Sequence, residues 1–190
     1  MKITPLGIDG AWLAESEVWK DERGYFREWF KQEDVFRETG LNFSVQQANF
    51  SLSGNRVVRG IHYSLAPQGQ AKWVTCVSGS ILDVVVDLRR NSKTFKKIEY
   101  IQLDSTGGKA LLIGAGLGHG FISQEENSGV SYLLTSPYSP ENEFDISPMD
   151  LDLGINWGGD KDKETQFVLS PKDLLAPSFN ARLEQGKLPF

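Results

Sequence analysis

Cysteine and histidine are nearly absent from this chain: Cys76, His62 and His119 are the whole supply. A single cysteine excludes an intramolecular disulfide and argues against a cysteine-built zinc site, and it suits a reducing cytoplasm. No apolar run is long enough to cross a bilayer, so no membrane association is expected. Met1-Lys2-Ile3-Thr4-Pro5 lacks the apolar stretch of a secretory leader. There is no Gly-x-Ser-x-Gly elbow, no P-loop and no Gly-x-Gly-x-x-Gly fingerprint. Positive charge is in deficit, with 20 Lys and Arg against 25 Asp and Glu, a net −5. That balance argues against nucleic acid as a partner, while a local basic pocket for a small anion stays open. No repeat, low-complexity linker or composition break is visible, so residues 1–190 are expected to form one domain.

What is present is β-structure. Residues 71–77 and 81–88 are rich in valine, isoleucine and threonine, and Ser78-Gly79-Ser80 between them reads as a hairpin turn. Further strands are predicted over 25–30, 43–53, from Val57 onward, 98–103, 110–113, 120–123 and 130–135. Asp21-Glu22-Arg23-Gly24 reads as a tight turn, and residues 104–108 and 124–129 as turns or polar loops. A short helix fits 32–39 with Gly40 as its stop, and another fits 179–185. Many short strands and few helices indicate a β-sandwich or barrel. Gly114-Ala115-Gly116-Leu117-Gly118 leads into no helical pattern and reads as a turn with close backbone approach.

Side-chain parity locates the polar residues. Lys72 shares a strand face with Val74 and Cys76, and Asp83 with Val85 and Asp87. If those faces turn inward, Lys72 and Asp83 must pair, because an unpaired buried charge is costly; the alternative is that both face solvent. Arg59 and His62 fall on opposite faces under strict alternation, unless Gly60 introduces a bulge that re-aims one of them. Imidazole changes charge near neutrality, so two histidines in strand-like settings, Arg59-Gly60-Ile61-His62-Tyr63 and Gly118-His119-Gly120-Phe121, suggest a polar pocket; two satisfied structural histidines are the alternative. A metal centre is short of ligands, with no His-x-His pair, which leaves only a two-histidine, one-carboxylate triad.

Several motifs recur in order: Asp21-Glu22-Arg23-Gly24-Tyr25-Phe26, Gln46-Gln47-Ala48-Asn49, Arg59 to Tyr63, Gln70-Ala71-Lys72, Asp83 to Arg89 and Gly118 to Phe121. They continue with Tyr132, Tyr138-Ser139-Pro140-Glu141-Asn142-Glu143, Asp152 to Trp157 and Leu169-Ser170-Pro171-Lys172-Asp173. Together, from about residue 5 to the C-terminus, they resemble the dTDP-4-dehydrorhamnose 3,5-epimerase family, which acts on nucleotide-linked 4-keto-6-deoxysugars. The resemblance implies an all-β, cupin-like β-jelly roll with a few short helices, a homodimer, and catalysis with no metal and no cofactor. It implies epimerisation at C3 and C5 of dTDP-4-keto-6-deoxy-D-glucose to dTDP-4-keto-L-rhamnose. It also implies roles: His62 as base, oriented by Asp173; Lys72 at the enolate oxygen, supported by Asp83; Tyr132 as acid. Arg59 and His119 match ligand-holding positions. Arg23, Glu28, Gln47, Asn49, Glu143 and Lys172 match nucleotide- or sugar-binding positions, and Tyr138 matches one that stacks on thymine.

The chemistry suits these residue types. A carbon acid beside a ketone needs a neutral base within reach, an oriented partner for that base, and a cation for the developing oxyanion. Inversion needs a proton from the opposite face. The resemblance also covers relatives that epimerise one carbon while keeping most of these residues, so a single-carbon (C3 or C5) epimerase or keto-isomerase on a related nucleotide sugar is the nearest alternative; a non-catalytic sugar-binding module or a metal-dependent cupin dioxygenase are the readings from other classes.

Overall fold

The computed structural model describes residues 1–65, 69–158 and 166–190. Two sheets face each other. One is six-stranded, in the order β1 (Lys2–Pro5), β2 (Ala11–Glu15), β10 (Lys109–Ile113), β7 (Lys72–Ser78), β12 (Ser128–Leu134) and β5 (Gln47–Ser53). The other is five-stranded, in the order β13 (Glu143–Asp145), β6 (Val58–Ser64), β11 (Leu117–Ser123), β8 (Ser80–Asp87) and β9 (Ile98–Asp104). A separate two-stranded ribbon joins β3 (Trp19–Asp21) to β4 (Gly24–Phe26) across the expected turn at Asp21–Gly24. Pairing within the sheets is antiparallel. Among the described residues there are also three short helices: α1 (Gln32–Thr39), α2 (Pro171–Leu174) and α3 (Phe179–Glu184). Among the described residues, no helix is long and apolar enough to cross a membrane.

The central strands are apolar on both faces, and the architecture covers both. Val74, Cys76, Ile81 and Val85 meet Leu111, Phe121 and Val130 in a layer between the sheets. Trp73 points outward from the six-stranded sheet and packs with Val35 of α1, Phe43, Trp29 and Phe30. Its indole N–H donates to the Trp29 carbonyl at 2.9 Å, so burying this ring leaves no polar atom unpaired. Val84 and Val86 point outward on the other side, against Ile146, Trp157, Phe179 and Leu188. Lys72 and Asp83 therefore both face inward, as parity allows, with only 7% and 0% of their surface exposed.

The Ser78-Gly79-Ser80 turn does not make a hairpin. β7 pairs with β10 and β12, whereas β8 pairs with β11 and β9, so the chain crosses from one sheet to the other at Gly79. Local pattern cannot separate these outcomes, because both need the same tight turn. The strand expected over 25–30 ends at Phe26, after which the chain leaves extended pairing and seats Trp29 and Phe30 on the outer face beside Trp73. The helix at 32–39 forms as expected, with Gly40 left-handed at φ 73° and its N–H on the Phe36 carbonyl at 2.8 Å.

One irregularity matters for chemistry. On the β6–β11 ladder His62 lies opposite His119 and Arg59 opposite Phe121, three steps on one strand against two on the other. This is a bulge, and it brings Arg59 and His62 to the same side despite their odd spacing. Gly60 sits in it at φ 125°, where an added Cβ would lie 2.6 Å from Cα of Gly120 and 2.8 Å from the His119 carbonyl oxygen. Gly60→Ala is therefore expected to lower stability by about 1–3 kcal/mol, through the left-handed backbone and the backbone clash. A urea midpoint equal to wild type would show that the bulge tolerates a side chain.

Candidate active site

Between the sheets lies a cavity of about 210 Å³ lined by Ser51, Arg59, His62, Lys72, His119, Phe121, Tyr132, Ser170, Lys172 and Asp173. Each wall has a sheet behind it. Lys72 and Tyr132 come from adjacent strands of the six-stranded sheet, with Tyr132 opposite Val74 and Leu134 opposite Lys72. His62 and His119 come from adjacent strands of the five-stranded sheet. Asp173 enters from α2.

Two histidine–carboxylate pairs meet here. His62 Nε2 lies 2.8 Å from Asp173 Oδ1, and His119 Nε2 lies 2.9 Å from Asp83 Oδ2. Asp173 is held in its ionised form and only accepts, so the His62 ring donates to it from Nε2 and Nδ1 is the nitrogen left to act as acceptor. Burial pushes the Asp173 carboxyl up, but hydrogen bonds from His62 and Ser170 and the nearby charges outweigh it and hold the group below the usual carboxylate range. For Asp83 burial wins: its carboxyl is raised despite His119 and Lys72, and its Oδ1 has no hydrogen-bond partner among the described residues.

The expected support of Lys72 by Asp83 is thereby revised. Asp83 bonds His119, and the Lys72 ammonium donates to the His62 carbonyl oxygen at 3.4 Å. Desolvation lowers the Lys72 pKa; Glu143 is the largest force opposing it, and Asp83 comes second. Glu143, half-buried on β13, is itself raised by burial against the pull of Lys72, His62 and Lys172. Strand parity could propose the Lys72–Asp83 pair but gave no hint of β13, a three-residue edge strand.

Other expected residues are tied to one another or to their strand neighbours. Gln47 Nε2 donates to Asn49 Oδ1 at 2.9 Å, and the Tyr138 backbone N–H donates to Gln47 Oε1 at 2.9 Å. The Tyr138 ring is exposed. Arg59 Nε donates to Ser53 Oγ at 3.1 Å, which steadies its fork at the cavity wall. Lys172 lies 3.6 Å from Asp145. Arg23 and Glu28 line no part of this cavity. Arg23 is on the exposed ribbon, bonded to Asp21, and Glu28 borders a separate small cavity with Met1, Ser16 and Asp34. A larger cavity of about 740 Å³ lies elsewhere, walled mainly by residues 5–10, Arg89 and residues 91–94; its Arg89 is engaged by Asp87, and neither histidine lines it.

Ser51, Phe121 and Ser170 were not singled out from sequence. Ser51 Oγ, on the cavity wall, is buried and has no hydrogen-bond partner among the described residues. A signal existed, since Ser51 follows Gln47 and Asn49 at every second position of β5 and so shares their face. Among the described residues, no group of three His, Cys, Asp or Glu side chains is placed to hold a metal ion.

Comparison with known proteins adds the decisive observation. The family model described as dTDP-4-dehydrorhamnose 3,5-epimerase matches residues 5–181. The chain belongs to the dTDP-4-dehydrorhamnose 3,5-epimerase family. It is 41% identical over 185 residues to a dTDP-4-dehydro-6-deoxyglucose 3-epimerase from a Streptomyces species, a match covering 97% of this chain and 92% of that protein. Its fold superposes on an epimerase from Mycobacterium tuberculosis with a TM-score of 0.94 at 38% identity, covering 100% of this chain and 94% of that one. It superposes on a dTDP-6-deoxy-D-glucose-3,5-epimerase from Legionella pneumophila, solved with dTDP-4-keto-L-rhamnose, with a TM-score of 0.90 at 34% identity, covering 99% and 97%. The two facing sheets are the cupin-like jelly roll of this epimerase family.

The Lys72 environment generates a titration with a definite sign. Glu143→Gln removes the largest force holding the proton on the ammonium, so the Lys72 pKa should fall further below its ordinary value. An unfolded lysine keeps its proton to about pH 10.4, so between the folded pKa and that value the unfolded chain binds more protons and stability rises with pH. In Glu143→Gln that rise should begin at lower pH. Following the Lys72 ¹⁵Nζ resonance with pH measures the shift directly; an unmoved midpoint would show that Glu143 does not hold the charge.

Proposed function

We propose that this chain epimerises C3 and C5 of dTDP-4-keto-6-deoxy-D-glucose, giving dTDP-4-keto-L-rhamnose. The observation that carries the reading is the division of one cavity between two sheets, with the His62–Asp173 pair on one side and Lys72 and Tyr132 on the other. His62 Nδ1 takes the proton from the carbon beside the ketone, and Asp173 stabilises the imidazolium so formed. Lys72 faces the oxygen where negative charge develops, in a dry site where its charge counts most. The Tyr132 phenol returns a proton from the opposite face. Every step is a proton transfer in a redox-neutral isomerisation, so no cofactor enters the reading.

The cavity is small beside the roughly 300–1,000 Å³ of whole-ligand pockets. It suits the sugar end, leaving the nucleotide across the rim. There Arg59 and Lys172 meet pyrophosphate, Gln47 and Asn49 hydrogen-bond the nucleotide, His119 and Glu143 hold the sugar side, and Tyr138 stacks on thymine.

The remaining two positions, Arg23 and Glu28, come to the site from a second copy in a homodimer. Three facts support this: both residues lie away from their own chain's cavity, the ribbon exposes Trp19, Tyr25 and Phe26, and edge strand β5 beside the cavity exposes Phe50 and Leu52. The setting is the cytoplasm. A second reading, epimerisation at C3 alone, is favoured by the 3-epimerase name of the Streptomyces relative.

Incubation with dTDP-4-keto-6-deoxy-D-glucose in deuterated water, followed by NMR, separates the readings. Label and inversion at both carbons are expected, and label confined to C3 selects the second reading. His62→Asn should lose about a hundredfold or more in turnover while still binding dTDP. Tyr132→Phe should still exchange deuterium from the His62 face but yield little inverted product; inversion at the wild-type rate would remove Tyr132 as the acid. Mixing inactive Arg23→Ala with inactive His62→Asn should restore activity as mixed dimers form, each with one intact site. Failure of complementation between exchanging dimers would place Arg23 in its own chain's site.

A further inference from the structure

Ser170, Pro171, Lys172 and Asp173 form the first turn of α2, with Ser170 as its N-cap in extended conformation at φ −71° and ψ 155°. The spacing is that of a capping box, in which the third residue's carboxylate ordinarily reaches back to the cap's own backbone N–H. Here the carboxylate is used differently. The Ser170 hydroxyl accepts from the Asp173 backbone N–H at 3.1 Å and donates to Asp173 Oδ2 at 2.9 Å. Oδ1 is left for His62 at 2.8 Å. Pro171, at the first helical position, has no N–H to compete for the serine oxygen. Each oxygen of a carboxylate that is only 3% exposed thus has its own donor, and rotation of the group would break one bond or the other.

We propose that Ser170 is a positioning residue for proton abstraction: by holding Asp173 Oδ2 it aims Oδ1 at His62 Nε2 and so keeps the ring's lone pair turned to the sugar. The proposal rests on the reading of His62 and Asp173 as base and orienting partner. Without the hydroxyl, Oδ2 is left buried and unpaired, and the carboxylate turns to recover a donor. The imidazole then loses its fixed direction, which a base acting at one carbon face cannot tolerate.

The test is a double-mutant cycle in the full-length protein. Ser170→Ala should lower kcat by about tenfold or more with KM and the dTDP dissociation constant unchanged. Ser170→Thr, which keeps the hydroxyl and the cap, should recover most of the loss. In an Asp173→Asn background, Ser170→Ala should cost almost nothing further, because the group it positions is gone. Equal losses in both backgrounds, or Ser170→Thr as poor as Ser170→Ala, would overturn the proposal. Weakened dTDP binding in Ser170→Ala would overturn it too, since Lys172 shares the turn and would report a melted helix. If Asp173→Asn alone keeps full activity, the base assignment itself fails, and that outcome is distinct from failure of the proposal.

Discussion

Taking the Lys72 ammonium out of water is the constraint around which the interior is arranged. A lone cation between two sheets is strongly disfavoured, so the surroundings must supply negative charge. Glu143 on β13 is the stronger source and Asp83 on β8 the next. Each of these carboxylates is then itself desolvated: Asp83 takes His119 as its direct partner, and Glu143 remains raised between Lys72, His62 and Lys172. These residues act together: Lys72 and Glu143 each oppose the other's desolvation, and Lys72 and His119 both oppose that of Asp83.

Much of this was legible in the sequence, and the limits have physical reasons. Parity put Lys72 on one face with Val74 and Cys76, and Asp83 with Val85, but these strands are buried on both sides, so only the packing shows that those faces turn inward. The conflict between Arg59 and His62 was visible as a phase error, and Gly60 was its natural resolution. Pairing across the chain was not legible. Nothing local says that the Gly79 turn changes sheets, or that a three-residue strand at Glu143 closes the edge beside His62. The partner of Asp83 was misjudged for the same reason. Parity gives the face of a side chain, whereas His119 reaches Asp83 through the register of β11 on β8.

Ser170 shows a second kind of limit. A hydroxyl ahead of a short helix carries no periodic signal, and what it does depends on a neighbour three residues away. The motif Leu169-Ser170-Pro171-Lys172-Asp173 drew attention to its charged members. The cap geometry that joins Ser170 to Asp173 exists only once the turn has formed.

The crossing at Gly79 ends β7 in one sheet and starts β8 in the other, and the proposed acid and base are divided the same way. Facing sheets stand about 10 Å apart, a distance set by the side chains between them. In this chain those spacers include Val74, Cys76, Val85, Leu111 and Val130. The hydrophobic filling is therefore a gauge as well as a source of stability: its thickness determines how far the sugar ring sits from each proton-handling group. Aliphatic residues that line no part of the cavity thus help to set the separation of the two walls on which the proposed acid and base stand.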